Sequence, residues 1–215
     1  MSNEPYTDVY LRIKEGAKAM PYGPVDRGDG HPNHGFKDVK GNPGEARKIA
    51  EVLDDLPMQE ALARIADPKT AFFTMGCEKS FNPVSGGGFW AKGYIEFSYN
   101  YAKAIADAQN YFPLFFHFDQ YIKKQQLPSP VLFEWELEGN IYRNGLTGYS
   151  CAIWISTTVC ETEAEVRKTW EQAWNLVANH LVNWKSFPEL PTLFGSTPLS
   201  NNEADARTIR VHRGA

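Results

Sequence analysis

The chain has 215 residues, 42% of them apolar and 13% aromatic, with a net charge of −4 and a pI of about 5.8. That length suits one domain with extensions or two small ones, and the aromatic share is enough to build a core. The acidic balance offers no field to gather phosphates, which argues against general nucleic-acid binding, and no apolar run reaches membrane-spanning length.

The N-terminus, MSNEPYTDVY, is polar and acidic, without the basic region and apolar run of a secretory signal. Cys77, Cys151 and Cys160 are odd in number, scattered and free of any CxxC spacing. They fit reduced, buried thiols in a cytoplasmic protein better than a disulfide framework.

In chain order, residues 1–44 read as an N-terminal arm and loop. A short strand is expected at Asp8 to Ile13, followed by a stretch rich in Gly, Pro, Asp and His. Asn42-Pro43-Gly44-Glu45 is a helix start, with Asn as cap, Pro at the first position and Glu at the third. Ile49, Val52, Leu53 and Leu56 continue at helical spacing until Pro57, and Met58, Ala61, Leu62 and Ile65 make a second short helix. Residues 71–78 and 89–99 read as strands joined by FNPVSGGG, and residues 101–125 as a helix that Pro113 must kink or split.

Residues 131–158 read as a hairpin turning at Asn144-Gly145. Its first arm alternates Phe133, Trp135 and Leu137 with Glu134, Glu136 and Glu138. A strict two-residue turn would pair Trp135 with Trp154 and face Glu134 with Ile155. A bulge at Gly139 or Gly148 would shift that register by one. Thr162 with Glu165 forms a capping box for a last helix carrying Val166, Trp170, Trp174, Val177, Leu181 and Trp184 as one stripe. Residues 185–215 form a Pro-, Ser- and Asn-rich C-terminal arm, with a short strand pattern at residues 208–212.

Two halves thus repeat a ββα pattern. The expected architecture is α+β, in a single domain over residues 45–184. Its sheet is four-stranded and mainly antiparallel, built from two ββα units with the helices packed on one face. An N-terminal helical segment and extended polar arms complete it, and the early strand would lengthen the sheet or cover its edge.

Candidate chemistry is sparse. Glu134, Glu136 and Glu138 share one strand face that Glu96 could join. Clustered carboxylates can hold a divalent cation or act as an acid/base pair, and they are also the ordinary outer face of a half-buried strand. His31 and His34, near Asp26, Asp29 and Asp38, have the spacing of a metal pair and also the composition of an exposed turn. His117 with Asp119 could supply a carboxylate-supported base, although a core histidine is the plainer role, as it is for His180. Ser85-Gly86-Gly87-Gly88 lacks the Lys-Ser/Thr and the helix of a phosphate loop and reads as a hairpin connection.

No catalytic constellation is recognisable and no cofactor is called for. The reading therefore leans to a non-catalytic, structural or assembly subunit, cytoplasmic or part of a virion (a phage tail or neck component fits). It would work through protein–protein contacts as a homo-oligomer or within a larger assembly, without nucleic acid or membrane. The alternative is a small cytoplasmic enzyme or ligand-binding protein. Its carboxylate- and aromatic-lined pocket would lie between sheet and helices, with Glu96, Glu134, Glu136 or His117 as polar groups.

Overall fold

The computed structural model describes residues 7–26, 28 and 33–184. The hairpin over residues 131–157 is its middle. β4 (Val131–Ile141) and β5 (Thr147–Thr157) pair antiparallel, linked by residues 142–146 with Arg143–Gly145 in a 3-10 turn. Gly145 takes φ of 74°, the left-handed conformation that favours glycine at such a turn. This five-residue link replaces the strict two-residue turn and moves the register by one. Trp135 lies opposite Ile153 and Glu134 opposite Trp154. The pairing runs through Gly139 and Gly148 without a bulge. Because side chains alternate, that single step separates an apolar face from a polar one along the whole hairpin.

β2 (Phe72–Pro83) and β3 (Phe89–Tyr99) form a second hairpin, with a register shift between Thr74 and Gly76. β3 pairs antiparallel with β5, so the two hairpins make a continuous sheet. Among the described residues the fold is α+β with one sheet, as expected, but the sheet has five strands, not four, and it is mixed. β1 (Asp8–Ala19) runs six residues past the expected end at Ile13 and lies parallel to β4, giving the order β1-β4-β5-β3-β2. A parallel neighbour needs a long crossover, and here everything between β1 and β4 supplies it.

The helices begin where local signals place them. α1 (Pro43–Ala46) has Asn42 accepting from the Glu45 amide at 3.3 Å. After a 3-10 turn at Ala50–Val52, Asp55 caps α2 (Leu56–Ile65) by accepting from Met58 N at 2.9 Å. Pro57 therefore sits in the first turn of α2, where its missing amide costs nothing, and starts the helix as well as ending the preceding segment. Pro113 does the same for α4 (Phe112–Ile122), which is split from α3 (Ala102–Ile105) by a 3-10 turn. α5 (Glu163–Asn183) has Thr162 as its cap, accepting from Glu165 N at 3.2 Å. The capping box is only half made, because the Glu165 carboxylate accepts from the Ser129 hydroxyl instead.

α5 buries Val166, Trp170, Trp174, Val177 and Leu181, and α2 packs beside it. Two long-range bonds fix that pair: Trp170 Nε1 donates to Asp55 Oδ2 at 2.9 Å, and Arg64 Nη2 to Asn179 Oδ1 at 2.6 Å. The core lies between these helices and the apolar sheet face. Trp135 is fully buried there, with ring centroids 5.3 Å from Phe118, 5.9 Å from Phe115 and 6.2 Å from Phe97. All three cysteines are buried and free. Among the described residues no helix is long and apolar enough to cross a membrane.

Candidate functional site

The polar sheet face carries the residues with chemistry. Strand alternation and register set Arg12, Glu136, Ala152, Glu96 and Gly76 in one row across all five strands. The adjacent row is Tyr10, Glu134, Trp154, Tyr94 and Glu78. The acidic ladder anticipated on β4 is therefore real, and Glu96 belongs to the same face.

It is not a bare carboxylate cluster. β1 lays a basic ladder over it: Arg12 Nη1 is 3.0 Å from Glu134, Arg12 Nε donates to Glu136 at 2.8 Å, and Lys14 lies 3.6 Å from Glu138. The cations stand outermost, Arg12 at 59% exposure over Glu136 at 10%. Neutralisation by side chains of the same fold, rather than by a metal, accounts for the row. Among the described residues no group of three or more His, Cys, Asp or Glu is arranged to hold a metal ion.

Glu96 is the deepest of these carboxylates. One oxygen is paired with Lys18, and the other accepts from Ser150 Oγ at 2.6 Å. Ser150 in turn accepts from Asn140 Nδ2 at 2.7 Å. Asn140 is buried, and its own Oδ1 has no hydrogen-bond partner among the described residues.

Beside Glu96, Gly76 leaves a gap in β2. A Cβ there would lie 2.9 Å from Tyr22 Oη, 3.6 Å from Glu96 Oε2 and 3.8 Å from Tyr94 Oη. Burial, with Glu96 next to it, pushes the Tyr94 hydroxyl well above the usual phenol range, which keeps it a neutral donor.

Tyr22, Gly76 and Tyr94, though not Glu96, line a cavity of about 490 Å³ along the outer edge of β2. The cavity is not between sheet and helices, where a pocket was expected. Its two walls differ. On the polar-face side stand Tyr22, Tyr94 and Glu78; on the helix side stand Ile49, Ala50 and Leu62, with Cys77 between them. Burial pushes the Cys77 thiol up, so it acts as an apolar wall and not as a nucleophile.

The floor is the β2 backbone itself. The Glu78 carbonyl lies against Gly93 of β3 and so points inward. The Met75 carbonyl points outward, where the Tyr22 hydroxyl donates to it at 2.8 Å. Alternation turns the amides of Cys77 and Lys79 outward as well. Among the described residues no strand lies on this side of β2, which is an edge of the sheet.

The histidine candidates fall elsewhere. His117 is exposed on α4, its ring 5.6 Å from Trp184, and is not the core histidine expected; Asp119 is paired with Lys123 at 2.6 Å. His180 takes the core role, its Nε2 2.9 Å from the Leu114 carbonyl, and burial pulls its pKa down to about 4. His34 is exposed at the cavity rim, its backbone amide donating to Glu51 Oε1 at 3.2 Å. His31 lies outside the described residues, as do the C-terminal arm and its strand pattern at residues 208–212.

The residues missed from sequence are Lys18, Tyr22, Gly76 and Tyr94. Only Gly76 left a signal, a glycine inside an otherwise apolar strand, which marks a bulge or a close approach. No protein-family model, curated protein or solved structure matches this chain.

Proposed function

We propose that the protein works through protein–protein contacts, by receiving an extended polypeptide segment along the outer edge of β2. The observation that carries this reading is the outer edge of β2, along which no strand lies among the described residues, forming the floor of a walled cavity; strand alternation turns the Cys77 and Lys79 amides toward that side. Strand addition uses such a floor for affinity and the flanking walls for side-chain selection. The ion-paired ladder belongs to the scaffold in this reading, since Arg12, Lys14 and Lys18 occupy its carboxylates.

Lys79→Pro tests it. Proline removes one outward amide without touching the bonds to β3, so the fold is retained on an edge strand. Peptides selected from a random library for binding to the parent protein should lose at least tenfold in affinity for Lys79→Pro and far less for Lys79→Met, which keeps the amide. Equal binding to all three proteins would rule the reading out.

A second reading, a binding site for a small polar ligand, is favoured by the convergence of Tyr22, Tyr94 and Glu96 on Gly76. In that case Gly76→Ala, which fills the gap, abolishes the binding of polar fragments detected by NMR while leaving β2-edge peptides bound.

A further inference from the structure

The cavity walls say which strand would fit. An added strand alternates its side chains between the two faces of the sheet. On β2, one set would meet Ile49 and Ala50, and the other Tyr22, Tyr94 and Glu78. The segment selected is apolar at every second position and polar or basic between. Walls on both sides leave room for a lone strand and not for the edge of a second sheet.

We infer that residues 208–212 of this chain, Thr-Ile-Arg-Val-His, are that segment, an inference that rests on the strand-addition reading. Ile209 and Val211 supply the apolar set, and Thr208, Arg210 and His212 the polar one. Charge agrees. The cavity lining carries Glu51, Asp54 and Glu78 against Lys37 and Lys79, whereas residues 207–213 carry Arg207, Arg210 and Arg213 and no acid. Reach agrees as well. Trp184, just past α5, stands near Tyr99, which pairs with Phe72 at the start of β2. Residues 185–207 could bridge at most roughly 75 Å if fully extended, and Phe72 to Lys79 along the strand is only about 24 Å. The segment can therefore dock on its own β2 or on that of a second copy, the latter being a route to assembly.

The test uses the full chain. In the parent protein the Cys77 and Lys79 amides should exchange with deuterium at least tenfold more slowly than in an Ile209→Asp/Val211→Asp variant. Added synthetic peptide of residues 205–214 should restore the slow exchange. Arg210→Glu should give a smaller acceleration. Light scattering assigns the docking to one copy, if parent and variant are both monomers, or to exchange between copies, if only the parent is an oligomer; either supports the inference. If the two amides exchange equally fast in parent and variant and the peptide changes nothing, the inference is overturned. If library-selected peptides still slow those amides in the variant, the strand-addition reading survives without it; if they do not, both fall.

Discussion

Glu96 is a carboxylate held 5% exposed on a sheet face, and its partners decide whether that burial is tolerable. Removing one partner of a buried pair leaves an uncompensated charge, whereas removing both together is often near neutral. Lys18 is partly exposed, which discounts the effect, so Lys18→Met should cost about 2 kcal/mol in urea unfolding, with most of it recovered in Lys18→Met/Glu96→Gln. His180 makes a second test. Its folded pKa of about 4 lies below the ordinary 6.5, so the unfolded chain takes up the proton first. The contribution is intact above pH 6.5, falls as pH drops from 6.5 toward 4, and flattens below. The loss at the bottom of that window is on the order of 3 kcal/mol, and His180→Asn should flatten the pH profile by a similar amount. At this scale the ladder of glutamates was legible because alternation is local. Its neutralisation was not, because Arg12 and Glu136 are 124 residues apart in sequence.

Asp55 shows how one side chain can join two elements. Oδ1 caps α2, and Oδ2 accepts the indole hydrogen of Trp170 on α5. Asp55→Ala should therefore lose a cap and an interhelical bond together, about 2 kcal/mol in all. Asp55→Asn, which keeps a cap and an acceptor, should lose under half of that in the same denaturation assay. The caps at Asn42 and Thr162 could be read in advance because each is a contact within a single turn. The hairpin register could not. Asn-Gly favours a tight turn locally, but a two-residue link would set Trp135 against Trp154 and Glu134 against Ile155. The longer link sets Phe133, Trp135 and Leu137 opposite Ile155, Ile153 and Cys151, so that both arms turn their apolar side chains to one face, and burial of that face outweighs the preference of two turn residues.

For the molecule as a whole, the two ββα units were visible because each is contiguous in sequence, and the helices do follow their hairpins. β1 outruns the strand expected at Asp8 to Ile13 because the side chains past Ile13 are mostly exposed and show little apolar alternation. The strands therefore differ in their hold on the fold. β3 and β5 have neighbours on both sides and a buried face, while β1 has one neighbour and a register break between Lys14 and Ala17. Backbone amides of β1 should exchange with deuterium at least a hundredfold faster than those of β3 and β5 in native buffer.

The placement of β1 also has a meaning in time. Of the five strands described, β1 leaves the ribosome before the others and has no partner until β4 has been made, more than a hundred residues later, and β4 needs β5 to be held. At roughly 5–20 residues per second that wait lasts on the order of 6–25 s. Through it, an unpaired strand with Leu11 and Ile13 must avoid joining its counterparts on neighbouring nascent chains. Arg12, Lys14 and Lys18 repel such copies from one another. The same three cations that later cover the glutamates thus act earlier as a guard against premature pairing.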